Sequence, residues 1–345
     1  VTKTPRCLFV SWAPFCSRSD SIAAYLDAPS HMVYSAAWGS HYSTILFKYF
    51  VQAVRTLALL LRERPAVVFV MTPPVTACLP VWLYAKLRGA SYVIDAHSGA
   101  FLQQPWKGLL FVHRFFSRRA RTTIVTNDYL RELVTSWGAS ATIVSDVPVQ
   151  FADASPIAVG GTTRMTFVSS FQKDEPFEVF VQAAAALPEV EFYVTGDSSK
   201  LPPAVRQRLP KNVKLPGFLP NGQYRALVEQ SDAVITLTTL DHTMQRGAYE
   251  AIYLRKPVVV SDTEVLRRHF NRGAVYVANT PDGIARGVRE MLAGLRKYTI
   301  EAQQLREEKL KTWRRTLEHL RQVVGVGEEP AQPDRRSAVS VTNSR

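Results

Sequence analysis

The stretch 241–262, DHTMQRGAYEAIYLRKPVVVSD, decides the fold. Shortly before it, residues 233–237 (AVITL) form a continuous apolar run, which reads as a strand buried on both faces. A polar loop containing Gly247 follows, then a helical pattern that carries Glu250. Arg255-Lys256-Pro257 stops that helix, because proline has no N–H to continue it. A second apolar run, 258–260, ends at Ser261-Asp262. Strand, loop, helix and strand in this order make a βαβ unit with parallel strands. A helix N-terminus beside a glycine presents free backbone N–H groups and the positive end of the helix dipole to an anion. A carboxylate one turn inside suits a neighbouring hydroxyl rather than a phosphate. Phosphate and hydroxyls side by side describe a nucleotide sugar.

The same alternation runs through the chain. Apolar runs fall at 7–10, 67–71, 92–94, 122–125 and 142–144, and again at 165–168, 192–194, 233–237, 258–260 and 274–277. Two sets of repeated βα units predict an α/β fold of two Rossmann-like, doubly wound parallel-sheet domains facing an interdomain cleft. A length of 345 residues suits two domains. The predicted boundaries are an N-terminal domain over 1–147 and a linker over 148–164, rich in Pro, Gly, Ala and Thr without amphipathic period. A C-terminal domain covers 165–300, a helix covers 301–324 within a charge-laced stretch from 281, and 325–345 reads as disordered.

Hydrophobic content of 46% excludes global disorder. Cys7, Cys16 and Cys78 have no metal-ligand spacing and suit reduced, buried thiols in a cytoplasmic protein. The opening VTKTPRCLFV does not read as a signal peptide, and no run of about 18 uncharged apolar residues predicts a membrane span. The net charge of +13 calls for an anionic partner or surface. Acids are absent from 96–127, where Lys107, Arg114, Arg118, Arg119 and Arg121 mix with Trp106, Phe111, Phe115 and Phe116. Large apolar residues among bases point to an anionic membrane more than to nucleic acid. A core helix with a basic edge is the competing reading. Lys48, Arg55 and Arg62 recur every seven residues on a helix over 42–64, which reads first as mostly buried with one wet stripe. The alternative is that its apolar face meets lipid. Peripheral association through 42–64 and 106–121, on the inner face of the cytoplasmic membrane, is the expected localisation.

Segment 241–262 resembles the C-terminal-domain signature of retaining glycosyltransferases with the GT-B fold, family 4 in particular. That signature is two Glu separated by seven residues, followed by Gly-Lys-Pro-Val-Val. Glu250 stands at the second Glu and Lys256-Pro257-Val258-Val259 at the strand start; His242 stands at the first Glu and Arg255 at the Gly. The resemblance implies that Glu250 holds the nucleotide ribose and that the donor-sugar contact falls at His242. Ser169-Ser170-Phe171, with Lys173 close by, occupies the place of the family's diphosphate clamp. Val194-Thr195-Gly196-Asp197 resembles its VGxG turn, and Gly217-Phe218-Leu219 its base-embracing segment.

In open α/β sheets ligands bind beyond the carboxyl ends of the strands. The loops there supply the remaining candidates. Asp95-Ala96-His97-Ser98-Gly99 follows a strand, and the resemblance puts a His at this place near the donor sugar. His97 and Asp95 are the candidate acid–base pair, with Asp95 orienting the imidazole or serving as base if configuration inverts; the favoured reading of Asp95 is a structural one, capping the loop. Arg246 and Lys173, with the amides of Gln245 to Gly247 and the neighbouring Tyr249, would neutralise a diphosphate leaving group without a metal. Trp12 and Arg18, after the first strand, would face the acceptor with Ser98 and Gly99. No Asp-x-Asp, GxGxxG or Walker sequence is present, which disfavours metal-dependent transfer, dinucleotide and NTPase chemistry.

The expected activity is transfer of a hexose from a UDP- or GDP-sugar to a lipid-linked or polysaccharide acceptor, with retention and with neither metal nor cofactor. A nucleotide-sugar 2-epimerase, or a degenerate scaffold that binds membrane or a partner, are the alternatives.

Overall fold

The computed structural model describes residues 6–35, 42–149 and 151–325. Its first sheet is parallel and runs β2-β1-β3-β4-β5-β6: β1 (Cys7–Ser11), β2 (Ser30–Met32), β3 (Val67–Thr72), β4 (Ser91–Ala96), β5 (Thr122–Val125) and β6 (Ala141–Ile143). The second is parallel too, in the order β12-β11-β10-β7-β8-β9: β7 (Arg164–Phe167), β8 (Glu191–Thr195), β9 (Val213–Gly217), β10 (Ala233–Thr236), β11 (Val258–Ser261) and β12 (Ala274–Val277). The ten predicted apolar runs are all strands. Sequence reading missed β2 and β9, both at sheet edges. Ser-His-Met is only partly buried and Val-Lys-Leu-Pro-Gly is buried only at Val213, so neither carries an apolar run to find, whereas the other two edge strands, β6 and β12, do.

Each lobe has its own core. Leu8, Val68, Val70, Ile94 and Phe101 sit in one, Phe167, Phe180, Phe192 and Ile235 in the other. The predicted helical stretch from 281 is two helices, Pro281–Ala293 and Leu295–Val324, broken at Gly294. The second leaves the C-terminal lobe, where Ala302 and Leu305 pack against Val258 and Phe270. It ends in the N-terminal lobe, where Trp313, Leu320 and Val324 pack against Phe9 and Ile22. Lys309 of this helix forms a buried ion pair with Asp146, and Tyr253 donates to the same carboxylate at 2.9 Å. The predicted tail beyond 325, and parts of the predicted first domain and linker, lie outside the described residues.

The helix Tyr42–Glu63 departs from the first expectation. Its inward positions are Lys48, Gln52, Thr56 and Leu60. Lys48 lies over the Tyr34 ring, Gln52 donates to the Val33 carbonyl, and Trp12 donates to Thr56. The outward positions include Leu46, Phe47, Phe50, Val54 and Leu61, with Leu46 77% exposed. A polar line at 48, 52 and 56 therefore faces the lobe beside Tyr49, Ala53, Leu57 and Leu60, while a second apolar set looks out together with Arg55 and Arg62. By length and composition alone Thr44–Glu63 would suffice to cross a membrane, contrary to the expectation of no such segment.

Candidate active site

Both sheets change direction at a switch point: β1/β3 in the first, β7/β10 in the second. Loops at such points diverge and leave a crevice. One cavity, of about 420 Å³, is lined by the loops after β1, β3, β4, β5 and β6 together with Met244, Arg246 and Tyr249 of the other lobe. A second, of about 370 Å³, is lined by the loops after β7, β8, β9 and β10 and reaches Glu250. Phe15 and Arg246 line both, so the two cavities meet there. The Arg246 guanidinium lies 6.0 Å from the Phe15 ring centre across the lobes.

In the first cavity, His97 follows β4 with its N–H on the Thr72 carbonyl. Burial pushes its imidazole down to about 4, against the pull of the Asp95 carboxylate, so the ring is neutral near pH 7. Its Nε2 faces the Cys16 thiol at 3.7 Å. Burial, then the Asp95 charge, raises the Cys16 pKa, so this is a neutral pair rather than an ion pair. Asp95 does not orient the imidazole; it takes the structural role that was the favoured reading, though on the β1 loop. It is fully buried, accepts from Ser19 at 3.1 Å and lies 3.1 Å from Arg18 Nη2. A carboxylate so enclosed positions the β1 loop and is not placed as a base. Arg18 and Ser98 line the cavity as expected. Trp12 does not: it is buried, donating to Thr56. Gly99 only begins the short helix Gly99–Leu102. Phe15, Thr126, Ser145 and Asp146 line the cavity but were not singled out in the sequence; taking the loop after every strand would have found them.

In the second cavity, the helix Arg246–Tyr253 starts against β7. A Cβ on Gly247 would stand 2.7 Å from Val168 Cβ and 2.9 Å from Thr236 Cγ2, so only glycine lets the helix start approach the sheet. Glu250 is buried, with Arg246 paired to Oε1 and Tyr224 donating to Oε2 at 2.7 Å. Each carboxylate oxygen keeps a further acceptor site for a hydroxyl. Burial, then the Glu250 charge, raises the Tyr224 pKa and keeps its phenol protonated. Ser170, Gly196, Asp197, Phe218, Leu219, Gln245 and Gly247, all candidates from the sequence, line this cavity together. The Gly217 carbonyl accepts from Gly196 N. Tyr249 lines the first cavity instead. Lys173 and Phe171 do not line either; both line a separate hollow of about 310 Å³ against Phe177 and Leu201. The lysine on the second cavity is Lys200, unforeseen because it follows the β8 turn by only a few residues and matches no motif.

His242 is not in either cavity. Its ring stacks on Tyr129 of the other lobe at 3.9 Å and 8°, and its carbonyl accepts from Asn127 Nδ2 at 2.7 Å. Its φ of 60° is a left-handed conformation that a bulky residue keeps only when its surroundings hold it. The side chain at this position joins lobes rather than facing the donor cavity. Among the described residues, no three His, Cys, Asp or Glu side chains come together as a metal-binding group.

Comparison with known proteins agrees with this architecture. Residues 15–149 match the family of glycosyl transferase 4-like domains, and 162–294 match glycosyl transferases group 1. Among curated proteins none matches. HepE of Anabaena, solved with UDP and glucose, superposes with a TM-score of 0.72 at 15% identity over 93% of this chain and 99% of its own. Sucrose-phosphate synthase of Thermosynechococcus elongatus gives 0.69 at 12% identity, over 92% and 98%. A putative UDP-N-acetylglucosamine 2-epimerase of Listeria monocytogenes gives 0.58 at 13%, over 87% and 91%. Likeness at such identities speaks for the fold, which transferases and an epimerase share. With both lobes matched by the sequence families, the chain belongs to the GT-B glycosyltransferases of the family-4-like kind.

Proposed function

We propose that the chain moves a sugar from a UDP- or GDP-sugar in the C-terminal lobe to a hydroxyl of a lipid-linked or polysaccharide acceptor in the first cavity. The observation that carries this reading is the meeting of two cavities at Arg246, one with the glycine-started helix and Glu250, the other with neutral His97. The nucleoside would lie towards Phe218 and Leu219, its ribose on Glu250 and its phosphates at the amides of Gln245 to Gly247. The anomeric C–O bond to the β-phosphate breaks, and the nucleoside diphosphate leaves with the electron pair. Arg246 and the helix-start amides stabilise that charge, worth about 3 kcal/mol per well-placed donor. The acceptor oxygen attacks the same face of the oxocarbenium-like centre, and its proton passes to the leaving phosphate. His97, being neutral, orients the sugar or acceptor by hydrogen bonding. Neither metal nor cofactor is required in this scheme. Titration of Glu250→Ala with UDP, GDP and ADP is the test: weakened binding supports the ribose role, and unchanged affinity for all three removes it. Incubating donor without acceptor separates transfer from epimerisation.

The acceptor side of the reading is membrane-bound, on the cytoplasmic face. The outward apolar face of Tyr42–Glu63 is joined by Leu79, Leu83 and Leu87 of Cys78–Arg88 and by Phe111 and Phe115 of Leu110–Ser117, Phe111 being 71% exposed. Arg55, Arg62, Lys86, Arg114 and Arg119 are on the same three helices or just beyond them. Apolar side chains rimmed by bases fit an anionic bilayer surface. The inward polar stripe, engaged by Trp12, Tyr34 and Val33, keeps this helix on the lobe and makes it lie on the membrane rather than cross it. Co-sedimentation with vesicles of anionic and of neutral lipid tests this; retention on neither would remove it.

A further inference from the structure

The loop after β7 folds around a carboxylate of its own. Glu175 accepts from Ser169 Oγ at 2.6 Å, from Ser170 N at 2.9 Å, from Ser170 Oγ at 2.9 Å and from Gln172 N at 3.2 Å. Two backbone amides and two hydroxyls converging on one point, at the carboxyl end of a switch-point strand, make an anion-binding nest. Its anion is supplied by the chain. Glu175 also lines the donor cavity, where it stands with Asp197 and Glu250 against Lys200 and Arg246: three carboxylates and two cations. Arg246 is already paired with Glu250, and Lys200 donates to the Ser170 carbonyl at 3.2 Å. The cavity thus carries no surplus positive charge for a diphosphate.

We infer that Glu175 is a resident anion that takes the place of phosphate in the β7 loop, so that this protein holds its donor mainly by nucleoside and sugar contacts and gains little from the terminal phosphate. Diphosphate contact is confined to the Arg246 side of the cavity, and the charge of Glu175 opposes it. Product nucleoside diphosphate is for the same reason weakly held. The inference rests on the donor reading above and assigns a specificity role to one side chain within it.

The test compares uridine, UMP and UDP, with the guanosine series in parallel, by calorimetric titration of the intact chain and of Glu175→Gln. The isosteric amide keeps a carbonyl for the loop amides and removes the charge. In the unaltered chain UDP should bind no more than about threefold tighter than UMP. In Glu175→Gln it should tighten by roughly tenfold or more while uridine is unchanged, a single like charge being removed from beside the phosphate. A variant that merely loosened the loop would weaken uridine and UDP together. UDP and GDP affinity unchanged or lowered in Glu175→Gln overturns the inference, as does an unaltered chain that binds either diphosphate far more tightly than its monophosphate. The second criterion needs no variant and holds even if Glu175→Gln misfolds. If no nucleoside or nucleotide of either series binds, the donor reading falls and this inference with it; if they bind and only the phosphate increment is wrong, the donor reading stands alone.

Discussion

The two lobes are built alike, each on six parallel strands with one switch point, yet they distribute charge in opposite ways. At its strand ends the C-terminal lobe gathers ionised groups around one cavity: the Arg246–Glu250 pair, Glu175 and Lys200. The N-terminal lobe neutralises its own, pairing Asp95 with Arg18 and holding His97 uncharged beside a thiol. On the outside, the N-terminal lobe turns the apolar face of Tyr42–Glu63 outward. One topology can therefore carry two cavities of different polarity, because the fold decides where strand ends meet and the loops decide what they carry.

The comparison can be broken most sharply at His97. His97→Ala should lower kcat by about 10²-fold or more while nucleotide affinity, a property of the other lobe, stays the same. A parallel loss of nucleotide binding would show that the lobes do not divide the work. The next effect is on stability. Asp146→Ala leaves Lys309 and the Tyr253 hydroxyl without their shared partner in a buried place and should cost about 3 kcal/mol in chemical denaturation. Gly247→Ala forces the donor-side helix off Val168 and should cost about 2 kcal/mol together with a loss of nucleotide binding. A full-affinity, full-stability variant would show that the close approach is dispensable. Smaller still is the stacked contact between lobes. A double-mutant cycle on Tyr129 and His242 should return a coupling of about 1 kcal/mol.

Acid should act on three imidazoles withdrawn from water, His113 buried and His97 and His269 partly so. His97, His113 and His269 are all pushed down to about 4 by burial, below the 6.5 of an exposed histidine. Groups whose pKa is lower when folded bind more protons when unfolded. Their stability contribution is thus complete above about pH 6.5 and is lost as pH falls towards 4. Denaturation midpoints measured from pH 7.5 to 4.5 should fall steadily through that window. A flat profile would mean that these rings are not desolvated.

Much of this was legible along the chain. Ten strands announced themselves as apolar runs, since a strand covered on both faces has no polar positions to interrupt it. The largely uncovered strands β2 and β9 did not, while the other two edges, β6 and β12, kept enough apolar positions to be read. The donor-side residues around Gly247 and Glu250 were legible because a βαβ unit puts them at one helix start, a local geometry. Trp12, Lys173 and His242 were misplaced, and the catalytic alternative for Asp95 failed, for related reasons. Each was assigned by its place along the chain or in a family motif, whereas the direction of a side chain depends on what it meets in the fold: for Asp95, Trp12 and His242 on distant partners, Arg18 and Ser19, Thr56, and Tyr129, and for Lys173 on a loop that turns into a separate hollow. Lys200 was missed by the same logic.

The amino-acid order by itself determined the two-lobed parallel architecture, the strand-end placement of the candidate loops and the basic, aromatic character of the 96–127 stretch. Those depend on local periodicity and on the short reach of βα connections. Only the tertiary structure decided which way Tyr42–Glu63 is turned, that Glu175 fills its own loop, and that position 242 joins the lobes. A helix with polar and apolar faces can dock on either, and a loop carboxylate can face solvent or amides. The choice is made by whichever distant groups complete the hydrogen bonds of the buried side, and that is a property of the assembled chain.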